Sequence, residues 1–325
     1  MLSFEELSTL PNASVSCEAE ALSKLSDAQL KELNFSQENI EDIRASALES
    51  HMEKIQNKDK TYQGFLNNDE TLSYEELLKL PNTSVVSELN VLKKLKEKSV
   101  EELKTLGLQS EKIAELKNKN VEEIILDNVA KCSYEELLEK GLSKEAIASI
   151  KNHEYSTISD EEIVAASASL AFNIASISRA GTSVNYSIYW HWSSEPIIKY
   201  TDYVAGNISD GYWATGQCTA KLTYKDSNGY LSDYVSRIVP YEFSSNGCSF
   251  AFPMGHYTSQ GPMWCQAGKA FIATQGNYSP NWALIANAGY FHSWAPEGLT
   301  ISIGSGNISF SGNGSQEGAS TVYIN

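Results

Sequence analysis

The sequence predicts an α+β protein of several domains, in which N-terminal all-α helical repeats precede a C-terminal all-β antiparallel sandwich of the jelly-roll type. Three observations predict it: a repeated helical motif in the first half, an alternating strand pattern that begins near residue 184, and a change of composition between them. We expect helical repeats over residues 1–156, a connecting helix over 157–178 and the sandwich over 179–325.

The helical half contains a tandem repeat. The segment LSFEELSTLPNASV from Leu2 returns as LSYEELLKLPNTSV from Leu72, and a shortened third copy begins at Cys132. The copies lie near residues 2–45, 72–118 and 132–152. Each begins with a serine that has a glutamate three residues later, the pattern of a helix-capping box, at Ser3, Ser73 and Ser133. We expect Gly107 and Gly141 to end helices. Because such short units bury enough surface only by stacking, they predict a stalk or a docking module.

An uncharged run, IVAASASLAFNIASIS, joins the two halves from Ile163 to Ser178. We expect an Ala-rich helix that packs against the β half and begins after a cap at Ser159. The run is shorter than the roughly 20 residues that span a bilayer. A membrane-active segment is the alternative.

The stretch VNYSIYWHWSS, from Val184 to Ser194, has the period-two alternation of a strand with one buried face. Tyr189 and His191 lie on the face opposite to its core residues, which are Tyr186, Ile188, Trp190 and Trp192. Further strands are predicted in a hairpin that turns at Asp226–Gly229, and over 248–252, 269–274, 281–291, 299–303, 307–311 and 320–324.

Charge excludes two classes of partner. The net charge of -16 and the pI near 4.8 argue against nucleic acid and anionic lipid surfaces, which require clustered Lys and Arg. The first 165 residues hold 33 of the 41 acidic side chains, whereas all six tryptophans follow that point. The β half is therefore nearly neutral and aromatic.

The β half predicts neither an enzyme nor a cofactor. Its eight acidic residues are scattered, whereas ordinary glycoside hydrolysis needs a pair of carboxylates. His191, His256 and His292 are not at ligand spacing, and no GxSxG nucleophile motif occurs. A hydrolase with unrecognised acids stays open as a third hypothesis.

Two further features concern cross-links and metals. The segment DKTYQGFLNNDE is a weak calcium-loop candidate through Asp59, Thr61, Gln63 and Glu70, and a polar loop between repeats is the alternative. None of the five cysteines has zinc spacing. They are expected either as buried thiols or with one disulfide in the β half, for which the predicted pair is Cys248 and Cys265.

Aromatic residues are the clearest sign of a binding surface. Four tryptophans lie at predicted strand ends beside Gly or Pro, namely Trp213, Trp264, Trp282 and Trp294. With Tyr189 and His191 they form the predicted ligand-binding set, because exposed aromatic groups on a rigid sandwich stack on sugars or anchor a protein partner. The alternative is that they plug the ends of the sandwich.

These features predict a secreted or surface-exposed bacterial protein of the adhesin type that binds a glycan or a protein surface. The excess of Lys, Asn, Ile, Ser and Glu over Pro and Arg resembles that of low-GC Gram-positive bacteria, and no export signal is visible at Met1. The alternative is a pore-forming or bacteriocin-like toxin. It rests on the uncharged, alternating segment 298–316, which has the pattern of a membrane-inserting hairpin.

Overall fold

The structure is a computed structural model. It describes residues 71–209, 212–215, 217–226, 234–238, 240–258, 261–276, 284–293, 299–304, 307–312 and 314–324, together with Ser36 and Asn39. The chain divides into two compact units, residues 1–68 and 69–325. Apart from Ser36 and Asn39, the first repeat copy lies outside the described residues, as do the calcium-loop residues Asp59, Thr61, Gln63 and Glu70.

Short helices occupy the described chain from residue 74 to residue 166. They are α1 (Tyr74–Leu78), α2 (Glu88–Glu97), α3 (Val100–Thr105), α4 (Ser110–Asn118), α5 (Val121–Val129), α6 (Tyr134–Glu139), α7 (Lys144–Lys151) and α8 (Asp160–Ala166). Ser73 and Ser133 form the predicted capping boxes of α1 and α6. Gly107 and Gly141 have φ values of 80° and 83°, the left-handed backbone that ends a helix and favours glycine.

Helices α2–α4 correspond to α5–α7, 34 positions later in the chain. Near the end of α4, the Lys117 ammonium donates to the backbone carbonyls of residues 96 and 98. Near the end of α7, the Lys151 ammonium donates to the carbonyls of residues 130 and 132. Each lysine thus satisfies carbonyls at the C-terminal end of the helix two before its own, α2 for Lys117 and α5 for Lys151, where no intrahelical partner is available.

The run that predicted a connecting helix over 157–178 is mostly a strand. Helix α8 ends at Ala166, and Ser169–Ala180 forms strand β2. Leu170, Phe172 and Ile174 alternate into the core. The prediction is therefore wrong beyond residue 166, because pairing with neighbouring strands overrides the helix preference of the alanines. In the described part of the chain, no helix is both long and apolar enough to cross a membrane.

The strands form two main antiparallel sheets and one hairpin. They are β1 (Ser84–Ser87), β2, β3 (Ser183–Trp192), β4 (Thr201–Ile208), β5 (Tyr212–Ala214), β6 (Thr219–Asp226), β7 (Tyr234–Ile238), β8 (Glu242–Phe243), β9 (Gly247–Pro253), β10 (Gly255–Thr258), β11 (Gly261–Gly276), β12 (Leu284–Ser293), β13 (Thr300–Gly304), β14 (Asn307–Ser311) and β15 (Gly314–Ile324). The first sheet has the order β1-β2-β3-β11-β6-β7, with β5 and β10 also paired to β11. The second has the order β15-β12-β4-β9-β8, and β13 pairs with β14.

One aromatic core lies between the two sheets. The predicted inward residues of β3 are all in it, namely Tyr186, Ile188, Trp190 and Trp192. Trp190 of the first sheet stacks on Phe252 of the second, with ring centroids 5.3 Å apart. A Cβ on Gly268, opposite Trp190 on β11, would lie 2.2 Å from its ring. The sheets thus pack as a sandwich, with helices attached to it in the same unit.

The β13–β14 hairpin covers the outer face of the second sheet. Ile301 is buried there, and Phe310 stacks on Phe291 of β12 with ring centroids 5.4 Å apart. The buried Asn207 amide of β4 donates to the carbonyls of residues 304 and 307, at 2.6 and 2.7 Å. The apolar residues on which the toxin hypothesis depends are therefore packed against the protein itself.

The four described cysteines are all free thiols. The predicted disulfide between Cys248 and Cys265 is therefore absent from this structure, as is any other disulfide among the described residues. Cys248 lies on β9 and contacts Cys218, whereas the Cys265 sulfur of β11 faces the Ala267 carbonyl at 3.6 Å. The alternative of buried thiols describes these three residues in this structure.

Candidate functional site

The structure describes four of the six predicted ligand-binding residues. Trp213 is 38% exposed, whereas Trp264 is 4% exposed and belongs to the core. Leu77 of α1 packs against Tyr189. The adjoining Leu72 carbonyl accepts a hydrogen bond from Nδ1 of His191 at 3.0 Å. The other two predicted residues, Trp282 and Trp294, lie outside the described residues.

Trp213 occupies the middle of the three-residue strand β5. Its neighbours Tyr212 and Ala214 face the core, so the alternation of the strand turns Trp213 outward. Both sides of β5 are held by hydrogen bonds. Residue 213 pairs with Gln275 of β11, and the Ala214 N–H donates to the carbonyl of residue 245 at 3.0 Å.

Phe243 lies on β8, the edge strand of the second sheet, and is 49% exposed. The turn after it, residues 244–247, is tight because the Ser244 hydroxyl accepts hydrogen bonds from the N–H groups of residues 246 and 247. The Asn246 amide then donates to the Tyr212 carbonyl at 3.1 Å. This turn connects β8 directly to β5.

We call Trp213 and Phe243 the aromatic edge. The two residues stand on separate short strands that are joined by the hydrogen bonds of the 244–247 turn. Below them the Tyr212 ring fills the space over Gly276, where a Cβ would lie 2.7 Å from the ring. The backbone under the aromatic edge is therefore fixed on several sides, so little conformational freedom remains to be lost on binding.

A buried polar cluster lies deeper in the sandwich. The Asp202 carboxylate accepts hydrogen bonds from the Tyr290 hydroxyl at 2.5 Å and from His292 Nδ1 at 2.9 Å. Trp192 Nε1 donates to the same tyrosine oxygen at 3.2 Å. Burial raises the pKa of Tyr290 well above its ordinary value. Asp202, Tyr290 and His292 have no exposed surface, so this cluster stabilises the core and is closed to a substrate.

Glu88 links the helices to the sandwich. It is the first residue of α2, is 1% exposed, and accepts hydrogen bonds from the backbone N–H groups of Ile197 and Ile198 at 2.5 and 3.0 Å. Burial raises the pKa of this carboxyl to about 7, against the opposing effects of those N–H groups and of the charge on His292.

No metal-binding cluster is found among the described residues. Among them no group of three or more His, Cys, Asp or Glu side chains is placed to hold a metal ion. Sequence reasoning missed Phe243 and the buried partners Glu88 and Asp202. Asp202 carried a signal, because it is the one charged residue of the strand TDYVAGNI. Phe243 carried none, because its strand has two residues.

Comparisons with known proteins give weak similarity. No protein-family model and no curated protein matches the chain. The collagen-binding subdomain of the Enterococcus faecalis surface protein ACE is 6% identical with a TM-score of 0.25, over 48% of this chain and 96% of that domain. The collagen-binding domain of a Staphylococcus aureus adhesin is 8% identical with a TM-score of 0.25, over 45% of this chain and 95% of that domain.

The T6 backbone pilin of Streptococcus pyogenes is 11% identical with a TM-score of 0.24, over 47% of this chain and 34% of the pilin. These similar structures are bacterial surface adhesin domains and a pilin, and this chain resembles them at most as a β-sandwich. TM-scores this low carry no argument about function.

Proposed function

We propose that this chain is an adhesin-type binding protein that acts outside a bacterial cell, and that it meets a protein or glycan surface through the aromatic edge. The observation that carries the proposal is the exposure of Trp213 on a strand that is hydrogen-bonded on both sides. Tryptophan in such a position is a typical energetic anchor of an interface, because a large apolar area is buried with little loss of freedom.

The charge of the β half supports the same proposal. Residues 166–325 carry eight acidic and six basic side chains, a near-neutral balance, whereas the first 165 residues hold most of the acid. Recognition by this half would therefore depend on stacking and apolar contact more than on ion pairs. The helices remain proposed as a stalk or docking module, and Trp282 and Trp294 remain predicted ligand contacts.

Binding of the full chain to a panel tests the proposal. The panel holds extracellular-matrix proteins, collagen among them, and glycans and cell-wall fragments, with binding measured by surface plasmon resonance. We expect Trp213→Ala to weaken saturable binding at least about tenfold, and Phe243→Ala to weaken it less. Val85→Ala is the matched control, because Val85 is 50% exposed on β1, an edge strand of the first sheet. Unchanged affinity of Trp213→Ala, or no saturable binding in the panel, would contradict the proposal.

The pore-forming alternative has no comparable support. Its proposed hairpin rests on the second sheet through Ile301 and Phe310, and it would have to leave that sheet before it could enter a bilayer. Dye release from liposomes at neutral or acid pH would favour this alternative over the binding function.

A further inference from the structure

Two thiols meet between the sheets of the sandwich. Cys218 immediately precedes β6 of the first sheet, and its sulfur lies 3.4 Å from the Thr215 carbonyl and 3.7 Å from the Ala273 carbonyl. Cys248 lies on β9 of the second sheet. Both side chains have no exposed surface, and the Cys248 thiol is hydrogen-bonded to Cys218. A sulfur of one sheet therefore contacts a sulfur of the other.

The packing of the two sheets places both cysteines beside the same part of β11. Cys218 faces the carbonyl of Ala273, and Cys248 is opposite Gly206 on β4, where a Cβ would lie 3.0 Å from the Ile272 side chain and 2.9 Å from the Tyr186 hydroxyl. That hydroxyl donates to the Asn207 carbonyl at 2.8 Å. Tyr186 interacts electrostatically with both sulfurs, which places all three groups in one part of the core.

The third buried thiol of the β half lies in a different environment. Cys265 is near Asp202 and Trp190, and its sulfur faces the carbonyl of Ala267 at 3.6 Å. Cys265 also lies eight residues along β11 from Ala273, whose carbonyl the Cys218 sulfur faces, a separation of about 25 Å along the strand. The contact geometry therefore selects one pair from the three cysteines.

We propose that Cys218 and Cys248 form a disulfide that joins the two sheets when the protein folds in an oxidising compartment. The two thiols lose two protons and two electrons and form one S–S bond. A disulfide oxidant, such as oxidised glutathione or a thiol-oxidising protein, takes them up and becomes two thiols. The attacking group is a thiolate, so we expect the bond to form before the core closes.

Burial makes later oxidation slow, since it raises the pKa of the Cys248 thiol well above its usual range and the neighbouring Cys218 raises it further. The bond would close a loop of about 30 residues that contains β6, β7 and β8. Such a link restricts the unfolded chain and stabilises the native one. The bond would also restrict the movement of Phe243, because Phe243 pairs with Cys248 across β8 and β9. The proposed disulfide does not depend on the proposed binding function.

Refolding of the full chain in a glutathione redox buffer tests the proposal. We expect the intact mass to fall by about 2 Da, the mass of two hydrogen atoms, relative to the reduced protein. Trypsin and cyanogen bromide together separate the three cysteines of the β half. Peptide Tyr200–Lys221 should then be joined to Ile238–Met254. Linkage of Ile238–Met254 to Trp264–Lys269, or alkylation of both proposed cysteines after the oxidised protein is unfolded, would overturn it.

Cysteine variants distinguish the effect of Cys218 and Cys248 from that of the other three cysteines. With Cys17, Cys132 and Cys265 all changed to alanine, the monomer should still lose about 2 Da and its Tm should rise by roughly 5–10 °C on oxidative refolding. The further change of Cys218→Ala or Cys248→Ala should abolish both effects. If the triple variant does not fold, the peptide map of the unmodified chain decides. A folded triple variant with no mass loss would refute the proposal.

Discussion

Glu88 should make the stability of the protein fall as the pH rises through neutrality. Its carboxyl is buried at the start of α2 and holds the backbone N–H groups of residues 197 and 198. The charged groups that act on it are His292 and Lys112, and Lys140 is held near it with a pKa that burial lowers. The perturbation we choose is Glu88→Gln, because the amide oxygen can accept the same two hydrogen bonds and cannot ionise.

The magnitude follows from the pKa. Burial raises the pKa of Glu88 from 4.5 to about 7, so between these values the folded protein holds a proton that the unfolded chain releases. Stability from this group is present at acid pH and is lost as the pH rises through about 7. This pKa difference between the folded and the unfolded chain contributes about 3 kcal/mol to the free energy of unfolding at acid pH. Roughly 2 to 3 kcal/mol of that contribution is lost between about pH 5 and pH 8.

The assay is urea unfolding across that pH interval, followed by tryptophan fluorescence, since all six tryptophans lie after residue 165. Relative to the wild type, Glu88→Gln should lose less free energy of unfolding as the pH rises. The control is Glu102→Gln. The backbone N–H of Ser99 holds the pKa of Glu102 below its usual range, so its titration lies outside this interval. Parallel pH profiles for the wild type and Glu88→Gln would show that the Glu88 carboxyl does not have a raised pKa in the folded protein.

Three further predictions concern packing and hydrogen bonding. Gly268→Ala should lower the free energy of unfolding by about 3 kcal/mol or more, because the new methyl would lie 2.2 Å from the Trp190 ring. Gly255→Ala is the control and should change it by no more than about 0.5 kcal/mol, because the nearest atom to its new methyl is 3.8 Å away. Chemical denaturation of both variants checks this. Asn207→Ala should speed hydrogen exchange of the β13–β14 amides at least about tenfold and leave those of β12 unchanged, because the hairpin loses both amide hydrogen bonds. Tyr290→Phe should lower the free energy of unfolding in urea by roughly 2 kcal/mol, because the buried Asp202 carboxylate loses a hydrogen-bond donor.

Local signals predicted several elements correctly. The alternation from Val184 to Ser194 marked strand β3 and the residues that it places in the core. The caps at Ser73 and Ser133 and the glycine at 141 are also formed as predicted. Each of these features is decided within a few residues along the chain, so a periodicity or a capping pattern is enough to find it.

Features that depend on distant partners were not predictable in this way. The run from Ile163 to Ser178 reads as a helix by its alanines, yet β2 forms there because β1 and β3 supply partners on both sides. Tyr189 was expected on an open face, and it is covered because Leu77, far away in sequence, packs over it. In both places the tertiary partner decides the outcome, and no local pattern records it.

Trp213 and Trp264 show the same limit at the proposed site. Each follows a glycine by two or three residues, each precedes a small residue, and both were predicted to project from strand ends. Strand β10 runs back along β11 and places Gly255 opposite Trp264, which is buried there. In the three-residue strand β5, both neighbours of Trp213 point into the core, so the alternation of the strand points Trp213 outward. Exposure of an aromatic residue in this sandwich is therefore set by strand pairing, and the aromatic edge lies where the paired strands are shortest.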